Sequence, residues 1–145
     1  MNRTDILTHL RAIHKCYEVC LSQVRQAYGL TQFEVDVLAF LRNNPSYNTA
    51  NHIVEYRLLP KANVSKAIDT LLRRGYLTAE RDTADRRRVL LFLTEAAVAA
   101  TDEILRAQDS FYQLLMADFS PEEQTFYQTL LTRITENALT GAERN

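Results

Sequence analysis

Asp85-Arg86-Arg87-Arg88 sets three adjacent cations behind one carboxylate, in a chain whose formal net charge is −1. Like charges side by side repel one another, so the run is costly unless solvent screens it or an anion meets it. A second polar set precedes it. Lys61, Asn63, Ser65, Lys66, Thr70 and Arg73 alternate at helical spacing with Val64, Ala67, Ile68, Leu71 and Leu72. An amide and several cations on the open side of one helix suit base edges and phosphates. Asn63 can bond an adenine edge through both amide atoms, Lys61 and Lys66 suit guanine or phosphate, Ser65 suits phosphate, and Arg73 the nucleic-acid backbone. Asp69 argues against close approach of DNA at the C-terminal half of that helix. For each residue taken singly, a solvated surface is the competing reading.

The regional charge favours an anionic partner. Residues 57–88 hold nine basic groups against four acidic ones, while residues 1–56 are balanced and residues 95–145 carry three basic against nine acidic. A basic centre between neutral and acidic flanks is a local electrostatic footprint that the whole-chain charge conceals.

Other chemistries find no support. There is no glycine-rich phosphate loop and no serine elbow, and His9, His14 and His52 show no ligand pattern with the cysteines, so neither an enzyme nor a cofactor is expected. Cys16 and Cys20, the only cysteines, stand four apart in a helical stretch and form no disulfide framework. The N-terminus mixes charged and apolar residues, and no apolar run approaches a membrane span, so a cytoplasmic protein without a membrane partner is expected.

These groups need elements to hold them. At 145 residues the chain is one domain's worth. Helical spacing over 4–27 ends at Gly29. Thr31 and Glu34 then form a capping box, with Leu30 and Val35 as a staple, for a helix over 32–43. A short helix fits 49–57, capped by Asn48 or Thr49. Pro60 suits the first turn of the polar-faced helix, which Gly75 closes. Residues 76–81 and 88–93 read as strands around the turn-rich DTADRR. A fifth helix fits 95–118 from Thr94. SPEE, 120–123, opens a sixth that runs to Leu139, with Phe126, Tyr127, Leu130, Leu131 and Ile134 on its apolar face. The order is that of a winged helix-turn-helix over 30–94. The fold class is mainly α with a small β-hairpin wing, plus a helical dimerisation region from 1–28 and 95–140, in a single domain spanning 1–145. The first, fifth and sixth helices carry apolar faces with no obvious place to go in so small a monomer, which suits a partner surface, although packing within one chain explains Phe111, Tyr112, Phe119, Phe126 and Tyr127 about as well.

The stretch VSKAIDTLLRRGYLTAERDTADRRRVLLFLTEAA, 64–97, resembles the multiple-antibiotic-resistance-regulator (MarR) family of bacterial transcription factors. The matching pieces are the recognition-helix core, the wing motif Asp85-Arg86-Arg87, and Leu93-Thr94-Glu95. LTQFEVDVLAFL, 30–41, matches the family's second helix, and the terminal helices match in layout only. The resemblance implies a homodimer with intertwined terminal helices, bound to double-stranded DNA at a pseudo-palindromic operator, by family default as a repressor. It implies that Asp85 braces the wing and that Arg87 enters the minor groove. Arg86 and Arg88 then face phosphates, or one of them pairs with Asp85 or Asp82. It also implies release by a small phenolic or anionic effector in a cleft between the dimer helices and the winged domain, for which His14, Tyr17 and Arg42 are the candidates.

The chain departs from the family pattern at several points. Pro60 stands where a capping serine is usual, and Arg57 where an apolar residue is common. Leu90 and Phe92 make both faces of the second wing strand apolar, so a neighbouring helix is expected to cover it, or else it borders the effector cleft. A thiol-sensing regulator using Cys16 and Cys20 is an alternative. Those cysteines lie late on the first helix, however, and Gln32 replaces an expected tyrosine, which favours inert thiols. A winged helix used as a protein-interaction module is the other alternative, though it needs neither the basic centre nor the wing arginines.

Overall fold

Local capping decides where the helices begin and end. In the computed structural model, which describes residues 2–144, α1 (Asp5–Tyr28) is closed by Gly29 at φ 60°, whose N–H donates to the Arg25 carbonyl. That left-handed backbone suits glycine. α2 (Gln32–Asn43) opens on the complete capping box. Thr31 Oγ1 accepts the Glu34 N–H at 3.2 Å, and the Glu34 carboxylate accepts the Thr31 N–H at 2.6 Å. Leu30 and Val35, the expected staple, are both buried. Thr49, not Asn48, caps α3 (Ala50–Arg57) by accepting the His52 N–H.

α4 (Lys61–Arg73) begins one residue later than expected. Pro60 is its N-cap, in extended conformation, and no side chain caps the helix. β1 (Leu77–Arg81) and β2 (Val89–Leu93) pair antiparallel, Leu77 opposite Leu93 and Arg81 opposite Val89. A 3-10 turn, Glu95–Ala97, leads into α5 (Val98–Leu115). The fifth helix is therefore shorter than 95–118 at both ends. Thr94 gives its hydroxyl to the Gly75 carbonyl instead of capping, and Asp118 takes φ 65° beyond the other end. α6 (Pro121–Glu143) starts at the expected box of Ser120 and Glu123 and continues a turn past Leu139. A mainly helical chain with one hairpin is the expected fold class.

The chain falls into two compact units, one ending at Phe111 and one beginning at Tyr112. The first holds a continuous core from α1 (Leu21, Val24), α2 (Val35, Leu38), α3 (Ile53), α4 (Val64, Leu71), the hairpin (Leu77, Leu91) and α5 (Ile104). Each such aliphatic side chain contributes about 1.5–3 kcal/mol by leaving water. In the second unit α6 has no buried residue.

The expected cover over β2 is absent. Leu91 is buried and Leu93 half-buried on the core side, but Phe92 is 41% exposed and Leu90 only half-buried on the other. The sheet has two strands, and its outer face turns to solvent. Its inner edge is tied elsewhere: Asn48 accepts the Leu91 N–H at 2.8 Å on its own carbonyl, and its amide donates to the Leu91 carbonyl at 3.0 Å.

Candidate nucleic-acid interface

Three residues, 58–60, join α3 to α4, and Leu58 absorbs the turn at φ 53°. α4 buries Val64, Ala67, Ile68 and Leu71. Lys61, Asn63, Ser65, Lys66 and Arg73 are all exposed, as their spacing predicts. The stripe farthest from the core is Ala62, Lys66, Asp69 and Arg73, three and four residues apart. Asn63 and Ser65 flank it on opposite sides. Ser65 and Asp69 share a cleft of about 250 Å³ with Ala79 and Val89 of the hairpin, so Ser65 lies on the wing side.

At the wing tip the three arginines are partly neutralised. Asp85 Oδ1 accepts both the backbone N–H and the Nε–H of Arg87 at 3.1 Å, and Oδ2 accepts from Nη2 at 3.4 Å. Those bonds, with the Arg88 charge nearby, hold the Asp85 carboxyl below the usual carboxylate range. Arg88 pairs with Asp82 at 3.7 Å. Asp82 also accepts the Ala84 N–H, and the Arg88 N–H donates to the Asp85 carbonyl, which folds the loop tightly. Arg86 lends its carbonyl to Arg81 at 2.8 Å, while its own guanidinium has no partner among the described residues. Like-charge repulsion is thus relieved within the loop, and Arg87 remains 91% exposed.

The remaining cations of the basic centre are occupied elsewhere. Arg74 donates to the carbonyls of Tyr28 and Gly29, closing the end of α1, and lies over the Tyr76 ring. Arg81 holds the wing loop. Arg57 pairs with Asp36 at 3.5 Å. Eight of the nine basic groups are exposed and Arg57 is half-buried; among the described residues, the side chains of Lys61, Lys66, Arg73, Arg86, Arg87 and Arg88 bond no group outside α4 and the wing loop.

A cleft of about 390 Å³ opens elsewhere in the first unit, lined by Leu10, Ile13, His14, Tyr17, Arg57, Gln108 and Phe111. Two of the three effector candidates meet there. Tyr17 donates its hydroxyl to Asp36 Oδ1 and accepts from Gln108, both at 3.2 Å. Burial, then the Asp36 charge, raises its phenol above the ordinary tyrosine value. His14 is exposed and pairs with Glu18 at 3.3 Å. Arg42 is not in the cleft: it donates to Thr101 at 3.1 Å and Asp102 at 2.8 Å, joining α2 to α5.

A family model described as "MarR family" matches residues 28–88, from the end of α1 through the wing arginines. The transcriptional regulator ZitR of Lactococcus lactis subsp. cremoris is 30% identical over 123 residues, 83% of this chain and 83% of that one.

The chain belongs to the MarR family.

As a MarR-family member it is a DNA-binding transcriptional regulator and not an enzyme. Two solved structures share its fold. The Staphylococcus aureus MepR–DNA complex aligns at TM-score 0.79 with 17% identity, covering 94% of this chain and 96% of that one. BpsR of Bordetella bronchiseptica, whose DNA binding is regulated by 6-hydroxynicotinic acid, aligns at 0.72 with 24% identity, covering 90% and 98%.

Cys16 and Cys20 of this MarR chain are free and half-buried. Desolvation, then hydrogen bonding with Cys16, pushes the Cys20 thiol up, the opposite of the depression that makes a reactive thiolate. No helix among the described residues is long and apolar enough to cross a membrane. Sequence reasoning missed Asn48 and Thr94, which pin the middle of β2 and the base of the hairpin, and the structural duties of Arg74 and Arg57. Arg57 had one signal, its departure from an apolar family position. Arg74 had none, since a doublet of arginines at a helix end looks alike at both positions.

Proposed function

We propose that this MarR-family regulator binds a pseudo-palindromic operator in double-stranded DNA as a homodimer and represses transcription until a small phenolic or anionic effector releases it. α4 enters the major groove, with Asn63 reading a base edge and Lys61, Ser65, Lys66 and Arg73 contacting bases or phosphates. Arg87 enters the minor groove, steadied by Asp85, with Arg86 and Arg88 over the flanking phosphates. One observation carries this reading: Lys61, Lys66, Arg73, Arg86, Arg87 and Arg88 are all exposed on α4 and at the wing tip, and the ion pairs of Arg87 and Arg88 stay inside the wing loop. The solved MepR–DNA complex supports the same use of the fold.

Two further features support the finer points. An α6 with no buried residue, and exposed Ile6, Leu7 and Leu10 on α1, favour a second copy as the missing partner. The cleft beside Tyr17 and His14 suits an effector, as does the response of BpsR to 6-hydroxynicotinic acid. The proposal is tested by selecting operators from genomic DNA with the purified protein and footprinting them over a salt range. Half-sites about one helical turn apart, with affinity falling steeply as salt rises, are expected. Absent or salt-insensitive binding overturns it. A reporter placed behind the selected site separates repression from activation.

A further inference from the structure

Arg74, the residue that closes α4, is held at both ends. Its backbone N–H donates to the Thr70 carbonyl and that of Gly75 to Leu72, so its base is part of the helix terminus. Its guanidinium reaches the terminus of another helix. Nη1 donates to the Gly29 carbonyl at 2.9 Å, Nη2 donates to the Tyr28 carbonyl, and the guanidinium carbon lies 4.9 Å from the centre of the Tyr76 ring. The last carbonyls of a helix lack partners within it and carry the negative end of its dipole, which suits a cation. A planar fork on two consecutive carbonyls, backed by a ring, fixes a direction that a single ammonium would leave open.

The bonds continue past α1. Tyr28, whose carbonyl accepts from Arg74, donates its hydroxyl to Glu103 Oε1 on α5 at 3.0 Å. The end of α4 is thereby joined to α1 and α5, both in the proposed dimerisation region. Among the described residues, no other hydrogen bond or ion pair links α4 or its cap to those two helices. The rest of its hold is apolar, through Val64, Ala67, Ile68 and Leu71. Apolar burial is non-directional, so it keeps a helix in place without fixing its angle as hydrogen bonds do. The strap also sits at the far end from Lys61 and Asn63. With 13 residues α4 is about 20 Å long, so a swing of about 10° about Arg74 moves its first turn by about 3.5 Å. That is about the axial rise of one base pair.

Resting on the reading of the chain as a homodimer on an operator of two half-sites, we infer that Arg74 is the positioning residue that sets the half-site spacing the protein accepts. Its fork on the end of α1 fixes the angle of α4, and with it the separation of the two recognition helices. Arg74 itself touches no DNA. On an operator of the wrong spacing the wild type must break the strap or give up one half-site. Without the fork the angle is free and follows the DNA, but that freedom is then lost on binding.

Fluorescence anisotropy on the full chain tests this with a selected operator, with versions whose half-sites stand one or two base pairs closer or farther apart, and with a single half-site. The wild type is expected to lose about tenfold in affinity at one base pair off, the cost of one charge-assisted bond. Arg74→Gln is expected to lose about threefold or less at that step and to bind the natural operator about 3- to 10-fold more weakly. Its affinity for the single half-site is expected to match the wild type. Arg74→Lys keeps the charge at the end of α1 without the fork, so it is expected to melt as the wild type does and to flatten the spacing profile by a smaller amount. The salt slope on the half-site is expected to stay unchanged in both, whereas loss of a phosphate contact lowers it by about 0.9. A wild-type spacing profile in both variants, a half-site affinity that falls as far as that for the operator, or a lowered salt slope each overturns the inference. A wild-type protein indifferent to spacing overturns the operator reading and the inference together. Discrimination that is equal in wild type and variants sinks only the role of Arg74.

Discussion

Arg87 is exposed enough to reach a minor groove yet tied to Asp85 by its backbone and its guanidinium. The backbone bond shapes the loop, whereas the side-chain bonds hold the guanidinium beside the Asp85 carboxylate. Arg87→Ala removes the second without the first. Operator binding is expected to weaken by about 1–3 kcal/mol with an unchanged melting temperature, as read by fluorescence anisotropy and thermal denaturation. The Asp85 carboxyl sits below its ordinary value in the folded chain because Arg87 bonds it. Its pairing is therefore complete at neutral pH and is lost only as pH falls through that lowered value. Carboxyl-carbon NMR is expected to find Asp85 titrating below ordinary aspartates, and moving back up in Arg87→Ala. Arg86 and Arg88 differ in kind, since Arg88 already has Asp82 and Arg86 has no ion-pair partner among the described residues. Arg86→Gln is expected to lower the log–log salt slope of binding by about 0.9, the value for one phosphate contact, and Arg88→Gln by less. The exposure of Lys61, Lys66, Arg73 and the three wing arginines was legible in the sequence because helical spacing and a turn-rich tip both predict it. The ties of Arg57 and Arg74 were not, since each depends on groups brought close only by the fold.

At the scale of elements, boundaries set by neighbouring residues were legible and boundaries set by distant ones were not. The boxes at Thr31–Glu34 and Ser120–Glu123 each form within four residues, and both are where the sequence puts them. Thr94, expected at the start of the fifth helix, gives its hydroxyl to Gly75 across the base of the hairpin. Asn48 was a candidate helix cap and instead bridges to Leu91 in the second strand. No local pattern announces either bond. Leu58 shows the same limit. Its φ of 53° costs a non-glycine residue of order 1 kcal/mol, and its side chain, largely exposed, recovers little by packing. Leu58→Gly is expected to raise stability by about 0.5–1 kcal/mol, measured by denaturant midpoint, because relief of the left-handed strain exceeds the added freedom of the unfolded chain. A lower midpoint would mean that the leucine side chain contributes packing its exposure does not suggest.

Across the whole molecule, charge and apolar surface are segregated along the chain. The acidic residues of 95–145 repel phosphate, so that region is unsuited to DNA and free for another use. Its apolar side chains indicate the use. Phe126, Leu130 and Ile134 recur every four residues on α6 and are 64%, 36% and 55% exposed. A helix this long with no buried residue gains little stability from its own chain, since most helical stability in proteins comes from packing an apolar face. The proposed dimer supplies that packing. If it does, the cost of a charge on this face falls on association and not on the fold of the first unit, whose core lies in α1–α5 and the hairpin. Phe126→Glu combined with Leu130→Glu is therefore expected to convert the protein to monomer in sedimentation, while protection of Leu38, Ile53 and Leu71 amides from hydrogen exchange persists. Operator affinity is expected to drop far more than the loss of any single contact, because two linked half-site interactions become one. A double variant that stays dimeric would assign the α6 face to something other than a second copy, and one that loses exchange protection throughout would make association part of the fold itself.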